Sequence, residues 1–100
     1  MARRLRWTPC AVGDLDRILE FIAKDAPSYA RAVHLRIQAR IASLPGQPGQ
    51  GRRVPEDEGG DELREVIVQS WRVIYRTRAD AVVIVAIVHS APLLKNVPPL

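Results

Sequence analysis

The stretch from Leu63 to His89, LREVIVQSWRVIYRTRADAVVIVAIVH, constrains the fold more than any other part of the chain. It is dominated by Val and Ile, with Trp71 and Tyr75 among them, residue types that suit a pleated, half-buried surface. Two short polar breaks, Gln69-Ser70 and Arg78-Ala79-Asp80, divide it into three runs. Short runs with tight turns predict an antiparallel meander. Strand residues alternate between faces, so Trp71, Val73 and Tyr75 share one side and Arg72, Ile74 and Arg76 the other. The first set is expected to pack on the remainder of the chain. The last run, Val82 to Val88, is apolar on both faces, which predicts an inner strand. Arg72 stands out, because desolvating an unpaired guanidinium is costly. Either it faces solvent, paired with Glu65 one position off its cross-strand neighbour Ile67, or it lines a concave site that meets an anion.

A sheet needs a second layer over its apolar face. The first 44 residues supply one. Leu5 to Trp7 reads as a short strand before Thr8-Pro9. A first helix is expected from Pro9 to about Lys24, with Leu15, Ile18, Leu19 and Ile22 on one face. Pro27 suits the first turn of a second helix, where its missing N–H is not needed. That helix runs to about Leu44 with Ala30, Val33, Ile37, Ile41 and Leu44 on its apolar stripe, and Arg31, Arg36 and Arg40 on its outer side. So short a link makes the two helices an antiparallel hairpin. PGQPGQG from Pro45 to Gly51 breaks the periodicity, and an acidic patch from Glu56 to Glu62 follows. A single α+β domain over residues 1–100 results: strand 1–8, helical hairpin 9–44, loop 45–62, three-stranded meander 63–89 and tail 90–100.

Composition excludes several classes. The longest apolar run, Ala81 to Val88, is far too short to span a bilayer, so a cytoplasmic protein is expected. Cys10 is the sole cysteine, so no internal disulfide can form, and a small buried side chain is expected there. His34 and His89 are far apart and no zinc spacing occurs, so neither metal nor cofactor is expected. The net charge is +4, and thirteen of the fifteen basic residues are arginine. Arginine favours bidentate contact with phosphate or carboxylate, pointing to nucleic acid or an acidic protein partner. The apolar tail residues Leu93 and Leu94 would be an exposed patch unless the tail folds back or a partner covers them.

Asp14-Leu15, Pro27, Gly51-Arg52, Val54-Pro55-Glu56, Leu63-Arg64-Glu65, Trp71-Arg72-Val73-Ile74-Tyr75-Arg76 and Val88-His89 occur in this order along the chain. Together with the order of elements, they resemble the ParE/RelE superfamily of type II toxin–antitoxin toxins. The resemblance implies a β-α-α-β-β-β fold with an antiparallel sheet packed against the helical hairpin. It implies a hetero-oligomer with a ParD-like antitoxin, for which Arg31, Arg36 and Arg40 are expected to offer one basic stripe. Two activities occur in the superfamily. ParE-like members poison DNA gyrase; RelE-like members cleave messenger RNA on the ribosome. The spacing from the loop to Leu63-Arg64-Glu65 looks like the ParE branch. Metal-free RNA cleavage also needs an acid, a base and cations around the phosphate. In the last strand and tail only His89 and Lys95 could act, and no tyrosine follows Tyr75. A gyrase inhibitor involved in growth arrest and plasmid stabilisation is therefore expected, with Arg52, Arg53, Arg64, Arg72, Arg76, Leu93 and Leu94 as target- or partner-binding candidates. The alternatives are an endoribonuclease using Arg72 and His89, and a non-toxic module that only binds its antitoxin.

Overall fold

The computed structural model describes residues 3–57 and 62–90. Leu93, Leu94 and Lys95 lie outside the described residues. Strands β3 (Arg64–Val68), β4 (Trp71–Thr77) and β5 (Ala81–His89) form the expected meander. Val68 pairs with Trp71, so Gln69-Ser70 is a two-residue turn, closed with Gln69 at φ 56°. Two further strands, β1 (Arg4–Trp7) and β2 (Arg52–Arg53), complete the order β1-β5-β4-β3-β2. The sheet is mixed rather than wholly antiparallel, because β1 runs parallel to β5. Parallel neighbours need a long connection, and here the helical hairpin and strands β2 to β4 lie between β1 and β5 in the chain. β5 takes the inner position that its two apolar faces predict.

A β-bulge sets how β5 meets the helices. Ile74 lies opposite Ala86 and Tyr75 opposite Ile84, leaving Val85 without a cross-strand partner. The extra residue shifts the alternation, so Val82, Ile84 and Ile87 all enter the core. The bulge also turns backbone groups out of the ladder, and the start of helix α1 (Pro9–Ala23) satisfies them. Thr8 Oγ1 donates to the Val85 carbonyl at 2.8 Å, and the Ile87 N–H donates to Asp14 Oδ2 at 2.9 Å. Thr8 additionally caps α1 by accepting from the Ala11 N–H at 3.0 Å, with Pro9 in the first turn.

Helix α2 (Pro27–Ser43) opens on Pro27, and its stripe of Ala30, Val33, Ile37 and Ile41 is buried, as is Leu44 beyond it. These residues meet Val66, Val68, Trp71, Val73 and Tyr75 from the sheet, with Trp7, Ile18, Leu19 and Ile22 packed around them. Each fully buried Ile or Val contributes about 1.5–3 kcal/mol to this core. Cys10 differs from expectation and is exposed. Ala11 is the residue of that turn aimed inward, and Cys10 lies roughly 100° away around the helix.

The loop expected over 45–62 is more structured than its composition predicts. It contains a 3₁₀ turn at Pro48–Gln50 and the two-residue strand β2. The Tyr75 hydroxyl pins it, donating to the Pro48 carbonyl at 2.7 Å and accepting from the Gly51 N–H at 2.9 Å. A Cβ on Gly51 would stand 2.5 Å from that hydroxyl, so only glycine fits. Val54 is buried, and its N–H donates to the Leu63 carbonyl at 2.9 Å, closing the loop onto β3.

Candidate functional site: an arginine held between two carboxylates

The sheet face away from the helices carries a four-member charge network. Arg52 pairs with Glu65 across β2 and β3, while Glu65 pairs with Ile74 across β3 and β4. Opposed residues share a face, so Glu65, Ile67, Arg72 and Ile74 all stand on this side. Arg72 Nε donates to Glu65 Oε1 at 2.7 Å. Its Nη1 and Nη2 form a fork on Glu56, at 3.0 Å to Oε2 and 2.9 Å to Oε1. Arg52 Nε donates to the other Glu65 oxygen, Oε2, at 2.6 Å. All three nitrogens of the Arg72 guanidinium thus have a carboxylate partner.

The expected diagonal pairing with Glu65 is present, but Arg72 does not face solvent. It is 8% exposed and Glu65 only 1%. The missed partner is Glu56, which arrives from the loop after β2. No local pattern in the sequence marks it: from Arg52 the chain runs along β3 toward Leu63, away from the Ile67–Arg72 pair, and a turn closed by the Asp57 N–H on the Val54 carbonyl brings Glu56 back. The hydrogen bonds from Arg72 hold the Glu56 carboxyl below its ordinary value, and Glu56 in turn raises Arg72. On the opposite side of the sheet, burial pushes the Tyr75 hydroxyl up. The network as built carries two positive and two negative charges and leaves no open fork for a phosphate.

The other candidates fall into separate places. Arg64 pairs with Tyr75, stands on the helix side and donates to the Gly51 carbonyl at 2.7 Å. Arg52 and Arg53 are exposed on the edge strand β2, and Arg76 is half-buried. Arg31, Arg36 and Arg40 are exposed, with Arg40 Nε donating to Gln50 Oε1 at 2.9 Å. Arg36 and Arg40 share a helix face, whereas Arg31 lies about 140° around from Arg36, so the three do not make one stripe.

His89 sits opposite Trp71 and packs its ring edge against the indole, with centroids 5.7 Å apart and planes at 86°. It lines an apolar cleft of about 470 Å³ with Ile18, Phe21, Ile22, Tyr29 and Trp71. Arg72 pairs instead with Val88. His89 and Arg72 therefore project from opposite faces of the sheet. The two side chains that an RNA cleavage mechanism would need are not brought together. Among the described residues no cluster of three or more His, Cys, Asp or Glu could hold a metal. No helix among them is long and apolar enough to cross a membrane.

Comparison with known proteins agrees with this architecture. The profile of one family, described as the ParE toxin of the type II toxin–antitoxin system parDE, matches residues 5–93. The chain is similar to a solved structure of a chromosomal ParDE system from P. aeruginosa, with TM-score 0.74 and 22% identity, covering 88% of this chain and 96% of that one. It is also similar to the RelBE2 toxin–antitoxin complex of Mycobacterium tuberculosis, with TM-score 0.60 and 22% identity over 89% and 99% of the two chains. The archaeal RelE–RelB complex of Pyrococcus horikoshii OT3 gives TM-score 0.60 and 18% identity over 89% and 96%. At these identities the structural likenesses establish the fold. No curated protein matches the chain by sequence.

Proposed function

Because the chain belongs to the ParE toxin family of type II toxin–antitoxin modules, we propose that it arrests growth by binding DNA gyrase and is neutralised by a ParD-like antitoxin. The observation that carries this reading is the separation of Arg72 and His89 on opposite faces of the sheet. General acid–base cleavage of RNA requires proton donor, acceptor and cation around one phosphate. Arg72 would also have to abandon two carboxylates to reach a substrate. A toxin that works by binding needs neither. Arg72 and Arg64 then serve as positioning residues. The first fixes the segment after β2 to the sheet, and the second fixes Gly51. The pairing of β2 with β3 places Arg52 and Arg53 on an exposed edge, where they are candidates for target contact together with Arg76.

Purified chain is expected to inhibit gyrase supercoiling, or to accumulate cleaved DNA in the presence of gyrase, and ParD-like antitoxin is expected to reverse the effect. Normal supercoiling at excess toxin would remove the reading. The likeness to RelE complexes supports a second one, a ribosome-dependent messenger RNA endonuclease. It predicts cleavage inside translated codons after induction, and losses from both Arg72→Ala and His89→Ala. If expression without antitoxin leaves growth unaffected, the chain is an antitoxin-binding module only.

A further inference from the structure

Three elements meet at the apolar cleft of about 470 Å³ beside His89. Helix α1 supplies Ile18, Phe21 and Ile22, the start of α2 supplies Tyr29, and β4 and β5 supply Trp71 and His89. Trp71 is the buried wall, 7% exposed, whereas Phe21 is 76% exposed and Tyr29 45%. Each of these aromatic rings has a large area to bury, so two of them left in water around one cleft mark a surface that something covers. The polar groups at the rim already have partners. Arg17 Nη2 holds Asp14 Oδ1 at 2.6 Å, and the Tyr29 hydroxyl donates to Gln69 Oε1 at 3.5 Å. The cleft therefore suits an apolar occupant rather than an anion.

The chain delivers such a segment to this spot. β5 ends at His89, in the wall of the cleft, on the same face of the sheet as Trp71. The next N–H, that of Ser90, donates to the carbonyl of Ser70 at 2.7 Å, and Ser70 lines the cleft as well. The backbone thus leaves the sheet at the rim. Residues 91–100 continue from there as APLLKNVPPL, with Lys95 the one charged side chain. Leu93 and Leu94 come three and four residues after Ser90, a reach of at most about 10–14 Å. Pro92 restricts Ala91 to extended conformations, which reduces the entropy lost when the segment settles.

We propose that Leu93 and Leu94 seat in this cleft against Phe21, Tyr29 and Trp71, so that the segment after β5 completes the apolar packing at this end of the helical hairpin. Effective concentration favours the chain's own segment over a second copy. A short tether holds its ligand at an effective concentration on the order of millimolar, so a contact too weak to join separate molecules forms within one chain. Burying each leucine shifts that equilibrium toward the docked state by about tenfold or more. The inference assigns Leu93 and Leu94 to the fold of the chain itself, where the sequence alone makes them target- or partner-binding candidates. It does not rest on the gyrase reading.

The test is NMR of the full chain with ¹³C-labelled leucine methyls. The methyls of Leu93 and Leu94 should show upfield ring-current shifts and NOEs to the rings of Phe21, Tyr29 or Trp71, both unchanged on dilution. Phe21→Ala, at an exposed position that folding does not need, should reduce the upfield shifts. Leu93→Asp with Leu94→Asp should empty the cleft. A synthetic peptide APLLKNVPPL should then bind the folded double variant at least about tenfold more tightly than the parent chain, moving the resonances of Trp71 and His89. Methyl shifts of a free chain, NOEs to another face of the domain, contacts that fade on dilution because a second copy supplies them, or peptide titrations that do not distinguish parent from double variant would each overturn the proposal. None of these outcomes bears on the gyrase assay.

Discussion

Replacing Arg72 by methionine should unfold much of the margin that keeps this domain folded. The side chain is of similar length, so packing changes little and the loss is electrostatic. Glu65 is 1% exposed and would keep Arg52 as its sole charged neighbour. Removing one partner from a buried ion pair costs about 3–5 kcal/mol, because the other charge stays desolvated. Against a typical total of about 5–15 kcal/mol, that is a large share. For a domain of this size each kcal/mol shifts Tm by about 4–8 °C, so a fall of at least about 12 °C is expected. The informative comparison adds Glu65→Leu. Glu56 and Arg52 have side chains 61% and 64% exposed, so water can solvate both once the buried pair is gone. Apolar replacement of both buried charges is often neutral or stabilising. The double variant should therefore be more stable than Arg72→Met alone, with a coupling of about 1–3 kcal/mol in urea unfolding. A single variant within 1 kcal/mol of the parent, or a double variant whose loss is the sum of the two singles, would refute the reasoning.

Three other expectations can be checked by unfolding measurements. Gly51→Ala sets a Cβ 2.5 Å from the Tyr75 hydroxyl and 2.6 Å from the Glu65 carbonyl oxygen, and should cost at least about 1–3 kcal/mol in thermal or urea melts. Asp14→Ala leaves the bulge N–H of Ile87 without its acceptor, so a loss of about 1–3 kcal/mol is expected, with faster exchange of the Ile87 amide by NMR. The depressed Glu56 carboxyl ties stability to acid. Its contribution is complete above the ordinary value of 4.5 and is lost as pH falls below that value through the lower folded one. Glu56→Gln should flatten the stability profile in that window while leaving its slope near neutrality unchanged.

The elements were legible because each rests on local chemistry. Trp71, Val73 and Tyr75 alternate with Arg72, Ile74 and Arg76, and only a strand buries the first three together. Pro27 and the stripe from Ala30 to Leu44 specify the second helix just as locally. What stayed hidden depends on non-local register. The bulge at Val85 has no sequence marker, since Val82 to Val88 is apolar throughout, so the meeting of Asp14 with Ile87 could not be foreseen. The same holds at the candidate site. Glu65 was readable as the diagonal neighbour of Arg72, because one tight turn fixes that register. Glu56 comes from a loop whose course depends on Tyr75 gripping Pro48 and Gly51, a contact spanning 24 to 27 residues. The parallel placement of β1 likewise follows from a long connection that no local pattern encodes.

The most direct measurement takes the Arg72→Met/Glu65→Leu chain, confirmed as folded, into the gyrase supercoiling assay beside the parent. If Arg72 only braces the sheet, the double variant inhibits gyrase as the parent does. Loss of inhibition in a folded double variant, or gyrase indifferent to the parent while transcripts are cut in an Arg72-dependent way, would contradict the account.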